Sequence, residues 1–250
     1  MKISTYKQLG ETPLEALERI RVERAIPINV PMTYAGRLDP MAEGLLLILV
    51  GEECKNKDDY LGLDKEYEVE VLFGFETDTG DTLGKVKDQK SEVKTEIQKS
   101  KIEEILKTFI GKSVQEYPAY SSKTANGVQL HTLANKGELP DKMPTREVEI
   151  YSIDILEERE ISSKILLKEI KARVKKVNGD FRQKEIIELW DKNLKDKKDS
   201  FKIIKIKVKC SSGTYMRSLA HNLGSTLGVP ALAYSIKRTK IGESFERCNI

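Results

Sequence analysis

The residues best placed to do chemistry lie in one short segment, Gly36-Arg37-Leu38-Asp39-Pro40-Met41-Ala42-Glu43-Gly44, which runs straight into the apolar stretch 45–50, LLLILV. Asp39 stands between a leucine and a proline, ahead of a run that must be buried, so its carboxylate falls at the edge of a core. A charge held there needs a partner, or chemistry that uses it. An ionised carboxylate can attack an electrophilic centre or assist the departure of a leaving group. The same tripeptide also fits a plain turn whose aspartate bonds its own backbone. Other chemistries leave no trace. His131 and His221 stand alone, and no metal-ligand spacing, Walker loop or dinucleotide fingerprint occurs. Cys54, Cys210 and Cys248 are few, odd in number and far apart, which argues against a disulfide scaffold or a zinc site and fits a reducing cytoplasm.

The elements that must position this segment can be read from periodicity. Thr12-Pro13 followed by Leu14, Ala16, Leu17 and Ile20 predicts a capped amphipathic helix with proline at its first position. Residues 45–50 predict a short buried strand, and 65–75 (KEYEVEVLFGF) alternate as a strand. Thr77 to Asp81 predict a turn, and 82–95 a further strand and a polar loop. Residues 96–110 have helical spacing, with Ile97, Ile102, Ile105, Leu106 and Phe109 on one side. Tyr117-Pro118-Ala119-Tyr120 predicts an extended loop. Residues 146–156 alternate again, 162–194 are helical with a break at Asn178-Gly179, and 192–200 read as a loop. A clean strand over 201–210 is followed by a turn at Ser211-Ser212-Gly213 and a helix over 215–227 that ends at Gly228. Strands and helices without strict alternation predict an α+β domain.

The 250 residues allow one large domain or two small ones, and 33% of them are charged. No 18-residue apolar run exists to span a membrane, and the first residues lack the apolar region of a secretory signal. The net charge of +3 conceals an asymmetry. Residues 1–163 carry 22 Lys+Arg against 31 Asp+Glu, whereas 164–250 carry 21 against 9. A basic C-terminal third is a footprint for a polyanion such as nucleic acid, or equally a solvated lysine-rich surface.

Four blocks, in order, resemble the TruB family of pseudouridine synthases, the bacterial tRNA pseudouridine-55 synthases. They are Lys7-Gln8-Leu9-Gly10-Glu11-Thr12-Pro13; Gly36 to Gly44; Lys65-Glu66-Tyr67 through Gly74, Thr77-Asp78-Thr79 and Asp81; and Cys210-Ser211-Ser212-Gly213-Thr214-Tyr215-Met216-Arg217-Ser218-Leu219. A weaker fifth is Pro118-Ala119-Tyr120-Ser121-Ser122-Lys123 with Gly127. The resemblance implies a pseudouridine synthase fold: a central mixed, mostly antiparallel sheet with flanking helices and an active-site cleft. It implies that Asp39 is the catalytic aspartate, that Arg217 pairs with it, and that Tyr67 stacks on the target uracil or takes the proton moved during rearrangement. Ile236 would line the uracil pocket, and Tyr215 matches a family tyrosine that either binds substrate or packs and orients its neighbours. Lys7, Lys55 and Arg238 are candidate phosphate contacts. The implied partner is the T arm of tRNA, whose target base must be flipped out of its stack. The implied enzyme is a cytoplasmic monomer that needs no cofactor and no metal.

The resemblance frays ahead of Leu38. Thr33-Tyr34-Ala35-Gly36-Arg37 stands where the family has Gly-His-Thr-Gly-Thr, so Tyr34 and Arg37 become candidate substrate contacts, and Gly-Arg-Leu-Asp is also similar to the ribosomal RNA synthases. The chain stops at Ile250, which predicts a single catalytic domain over 1–250 without the RNA-binding PUA module of many relatives. A basic helical insertion at about 160–200, carrying Lys164, Lys168, Lys171, Arg173, Lys175 and Lys176, is expected to contact RNA and to be removable without loss of the fold.

Overall fold

Alternating β-branched residues and turn-forming glycines build one large sheet, seen in a computed structural model that describes residues 1–87, 97–195, 197 and 199–242. In chain order the elements are β1 (Lys2–Lys7), α1 (Pro13–Glu23), β2 (Met32–Ala35), β3 (Ala42–Val50), a 3-10 turn (Gly51–Asn56), α2 (Lys57–Leu61), β4 (Lys65–Phe73), α3 (Lys99–Thr108), β5 (Gly111–Glu116), β6 (Thr124–Ala125), β7 (Val128–Gln129), α4 (Leu130–Lys136), β8 (Thr145–Ser162), α5 (Ser163–Val174), α6 (Gln183–Leu194), β9 (Ser200–Cys210), α7 (Met216–Leu227) and β10 (Ala231–Ile241). Eight strands form the main sheet in the order β1-β3-β10-β4-β9-β8-β5, with β2 on β3, while β6 and β7 form a separate hairpin. Among the described strands only β3 and β10 pair in parallel; the other pairings of that sheet are antiparallel. This is the mixed, mostly antiparallel α+β sheet expected.

Local chemistry explains the individual elements. Thr12 caps α1: its hydroxyl accepts from the Glu15 amide at 3.2 Å, and the Glu15 carboxylate accepts from the Thr12 amide at 2.6 Å. Pro13 fits the first turn because its missing N–H has no partner there in any case. β10 is wedged between β3 and β4, with Arg238 opposite both Gly44 and Tyr67. A Cβ on Gly44 would lie 2.2 Å from the Arg238 carbonyl oxygen, and its φ of +114° already excludes other residues, so the parallel junction requires glycine.

Successive residues on each strand face opposite sides, and each side has its own core. One side buries Tyr67, Val69, Val71, Ile204, Ile206, Val208 and Ile236 against Ile102, Ile105 and Leu106 of α3 and Leu219, Ala220 and Leu223 of α7. The other buries Leu72, Phe75, Phe201, Ile203, Leu232 and Tyr234 against Leu166, Ile170 and Val174 of α5 and Ile186, Trp190 and Leu194 of α6. Trp190 has no exposed surface, and its indole N–H donates to the Thr82 carbonyl at 3.2 Å.

Three expectations are corrected. The insertion cannot be removed without cost, because α5 and α6 cover the core around Phe75, Phe201 and Tyr234 on one face of the sheet, and deleting them would bare it. The strand expected over 146–156 continues to Ser162, since its charged second half pairs with β9 through Glu158 and Lys202, and Arg159 reaches Glu70 on β4. The strand expected within 82–95 is reduced, among the described residues, to one bridge between Thr77 and Val86; residues 88–96 lie outside the described residues.

Candidate active site

Asp39 sits in the loop between β2 and β3, and three buried groups hold that loop from beneath. Gly10 donates its amide to the Pro40 carbonyl at 2.9 Å. The Lys7 ammonium donates to the Ala42 carbonyl at 2.5 Å and to the Gln8 carbonyl at 3.0 Å. Arg238 donates from Nε to the Leu45 carbonyl at 2.7 Å and from Nη1 to the Arg37 carbonyl at 3.2 Å, so one guanidinium grips the chain on both sides of Asp39. Leu38 faces down into the core beside Tyr67 and Ile236. The adjacent carboxylate therefore points up, with its side chain 39% exposed.

Arg217, in the first turn of α7, is 178 residues away in sequence and donates from Nε to Asp39 Oδ2 at 2.8 Å. Its other nitrogens donate to the Thr79 carbonyl at 2.7 Å and the Tyr120 carbonyl at 3.0 Å. One buried side chain thus joins the Asp39 loop, the 77–81 turn and the 117–122 loop. Asp81 Oδ2 lies 3.9 Å from Arg217 Nε. Burial raises the Asp81 pKa above the usual carboxylate value, the Asp39 charge adds to that, and Arg217 opposes it. Burial works against the Arg217 charge, yet Asp39 and Asp81 together raise its pKa. A guanidinium with three fixed acceptors holds Asp39 in one orientation and leaves its other oxygen free of hydrogen bonds among the described residues.

The other expected site residues divide into two groups. Tyr67 on β4 and Ile236 on β10 join Leu38 and Ala42 in one cluster at the foot of the Asp39 loop. Burial raises the Tyr67 pKa, and the neighbouring Arg238 charge opposes it. Tyr215 caps α7 with its ring edge-on to Tyr117, centroids 5.9 Å apart. Burial raises its pKa, and the charge of Asp39 adds to the rise. Tyr34 and Arg37 meet at the loop entrance, where Arg37 Nη2 donates to the Tyr34 hydroxyl at 3.3 Å and the Lys57 ammonium lies 5.6 Å from the Tyr34 ring centre.

Two of the three expected phosphate contacts are corrected. Lys7 and Arg238 are 0% and 2% exposed, and their donors reach backbone carbonyls. Burial lowers the Lys7 pKa to about 8. Both residues shape the loop from inside and have no path to a phosphate. Lys55 is exposed and pairs at the surface with Glu52 three residues earlier, an arrangement that leaves it reachable by a phosphate. Arg173, expected to contact RNA, is stacked 4.8 Å from the centre of the Tyr234 ring. His131 Nδ1 lies 3.2 Å from the Ser121 carbonyl.

Sequence reasoning missed Arg182, at the loop between α5 and α6. Its Nη1 donates to Asp78 Oδ2 at 2.7 Å and to the Tyr120 hydroxyl at 2.8 Å, and its guanidinium stacks 4.5 Å from the Tyr120 ring centre. It adopts a left-handed φ of 62°, unusual for a residue with a side chain. Arg182 thus ties the same two loops by their side chains that Arg217 ties by their carbonyls. The only signal was position: an arginine just past the Asn178-Gly179 break.

The sheet with its flanking helices is the pseudouridine synthase fold. The structure superimposes on a chain of a Cbf5-Nop10-Gar1 complex with a TM-score of 0.58 at 20% identity, covering 96% of this chain and 48% of that one. Residues 29–179 match the model for the TruB family pseudouridylate synthase, N terminal domain. Similar curated proteins include tRNA pseudouridine synthase B of Dechloromonas aromatica, 30% identical over 95% of this chain and 63% of the relative. That of Endomicrobium trichonymphae is 30% identical over 94% and 82%. That of Clostridium tetani is 29% identical over 96% and 67%. The chain belongs to the TruB family. It spans about two thirds of the length of the Dechloromonas and Clostridium relatives, 63% and 67%.

Proposed function

We propose that this protein converts a uridine in tRNA to pseudouridine, at position 55 of the T loop, with Asp39 as the catalytic carboxylate. The observation that carries the reading is the half-exposed Asp39 carboxylate, fixed by Arg217 at 2.8 Å, on a loop whose Leu38 packs with Tyr67 and Ile236. The isomerisation breaks the N1–C1′ bond, turns the uracil, and joins C5 to C1′; the proton on C5 is lost and N1 ends protonated, so nothing else is consumed. Asp39 either attacks sugar or base, or assists departure of uracilate. In every route the free oxygen faces the substrate while Arg217 holds the other at 2.8 Å. Ile236 and the Tyr67 ring form the surface on which the flipped base lies, and stacking offsets part of the few kcal/mol that flipping costs, about 1–3 kcal/mol per base. A base role for Tyr67 requires its phenol to lose a proton first, which burial opposes. On this reading the enzyme is a cytoplasmic monomer that uses no cofactor.

A second reading, the same chemistry on ribosomal RNA, is favoured by one feature: Tyr34 and Arg37 occupy the loop entrance in place of the family's usual residues there. Transcripts of tRNA and ribosomal RNA treated with the wild type and with Asp39→Ala, followed by mapping of pseudouridine, separate the two. Product confined to the T loop and lost in the variant is expected. Product only in ribosomal RNA supports the second reading, and RNA binding without product by the wild type refutes both.

A further inference from the structure

Helix α5 carries a charge pattern that the site at Asp39 does not use. Lys164, Lys168, Lys171 and Lys175 follow one another at intervals of four, three and four residues, which places them on one face of a helix. They line a groove of about 970 Å³ that Lys195 and Lys197 border from the end of α6. The floor is apolar, with Leu167, Ala172 and Leu194. Two nearby acids are already engaged, one of them with a lysine of this face itself. Glu169, the acidic residue of α5, accepts from the Tyr234 hydroxyl, and Asp191 of α6 pairs with Lys171. Asp199 is the acidic residue among the described lining residues, against six lysines. Five of those lysines are exposed.

The groove has a definite relation to the catalytic loop. At its Lys175 end the chain continues to Lys176, whose carbonyl oxygen lies where a Cβ on Gly10 would be, 2.3 Å away. Gly10 in turn bonds Pro40, next to Asp39. Beyond it, Arg182 reaches Asp78 and Tyr120 beside Arg217. The stripe from Lys164 to Lys175 spans about 16 Å at ~1.5 Å per residue, close to five base-pair steps of ~3.4 Å. A row of mobile ammonium groups over an apolar floor suits a phosphodiester backbone, which needs charge spread along a line and no directional readout.

We propose that the lysine face of α5, together with the end of α6, is a docking track for the sugar–phosphate backbone of the substrate RNA. The proposal rests on the tRNA-modifying function proposed above, and adds a surface that supplies affinity at a distance from the reacting base. Because α5 also covers the core, the test uses point changes rather than deletion. The triple variants Lys164→Glu/Lys168→Glu/Lys175→Glu and Lys164→Gln/Lys168→Gln/Lys175→Gln are compared with the wild type. Each is first checked for an unchanged thermal unfolding midpoint. Binding of a tRNA transcript is then measured from low to moderate salt. The glutamine set is expected to weaken binding about tenfold or more at ~0.1 M salt, and to flatten log K against log salt by about 2, from ~0.7–0.9 per lost phosphate contact. The glutamate set loses more. Folded variants that bind within twofold of the wild type with the same salt slope overturn the proposal. Mapping pseudouridine in the same samples keeps the two readings apart: product with unchanged binding sinks the track alone, and track-dependent binding without product by the wild type sinks the assigned reaction.

Discussion

The cations around Asp39 and those along α5 meet opposite surroundings. Arg217 and Arg238 are 3% and 2% exposed, and each donates to two backbone carbonyls of the loops it joins. Lys164, Lys168 and Lys175 are exposed, and Asp199 is the acid among the described residues that line their groove. A buried cation held by such bonds fixes geometry. An exposed lysine fixes nothing and attracts over a distance. The residue types match these roles, with planar, multiply bonded arginine at the site and flexible lysine along the arm. Arg182 belongs to both regions, rooted in the insertion and bonded at the site.

The strongest break between the regions is expected at Asp39. Asp39→Asn retains an acceptor for Arg217 but loses the charge, so pseudouridine formation in single-turnover assays should fall about 10⁴-fold or more, with the fold and RNA binding retained. A variant that turns over within tenfold of the wild type would remove Asp39 from the chemistry. Arg217→Met comes next, because it frees two loop carbonyls and leaves Asp81 buried beside Asp39 without a counter-charge. Breaking such a pair costs about 3 kcal/mol or more, read by urea unfolding. Arg217→Lys keeps the charge but cannot make three diverging bonds, so its stability should recover further than its rate.

Arg182→Ala tests whether the arm is coupled to the site. It removes two hydrogen bonds and a ring contact at a partly exposed place, worth about 1–2 kcal/mol, in part offset by relief of its left-handed backbone. The expected outcome is a fall in kcat of about tenfold with little change in KM for the tRNA, because the 77–81 and 117–122 loops around Arg217 loosen while the lysine face is untouched. A change confined to KM would place Arg182 with the docking residues instead.

Much of this was legible in sequence, for reasons that also explain what was not. Strands β3, β4 and β9 alternate or run apolar over their full length, and α7 ends at a glycine, so their residues announce them. Asp39, Tyr67 and Arg217 came from matched blocks, and the fold brings them together across three elements. β10 was not read at all, although it lies in the middle of the sheet, because its Lys237, Arg238 and Lys240 look like surface. Arg238 points inward and is covered only because Gly44 lets β10 approach. The same blindness misplaced Lys7: nothing in a lysine's spacing shows that two carbonyls await it in the core. Packing, and not pattern, decides whether a cation becomes a clamp or a contact.

An effect comparable in size to that of Arg182→Ala falls on stability at alkaline pH, where the buried lysines carry a signature of their own. Burial lowers the pKa of both Lys7 and Lys65 from the ordinary value of 10.5 to about 8. Between those values the unfolded chain holds a proton that the folded chain has released, so their contribution to unfolding free energy rises with pH from about 8 to 10.5. Cys210 runs the other way, since burial raises its thiol from 9.0 to about 11 and the folded chain keeps a proton the unfolded chain has lost. The total is therefore cleanest below pH 9, and the Lys7 share is isolated by subtracting Lys7→Met at each pH. That difference should move in favour of the wild type by about 1–3 kcal/mol between pH 8 and 10.5, measured by urea unfolding. A flat difference would mean that the Ala42 and Gln8 carbonyls hold Lys7 charged throughout, and that the loop beneath Asp39 is clamped by an ammonium ion as firmly as by Arg238.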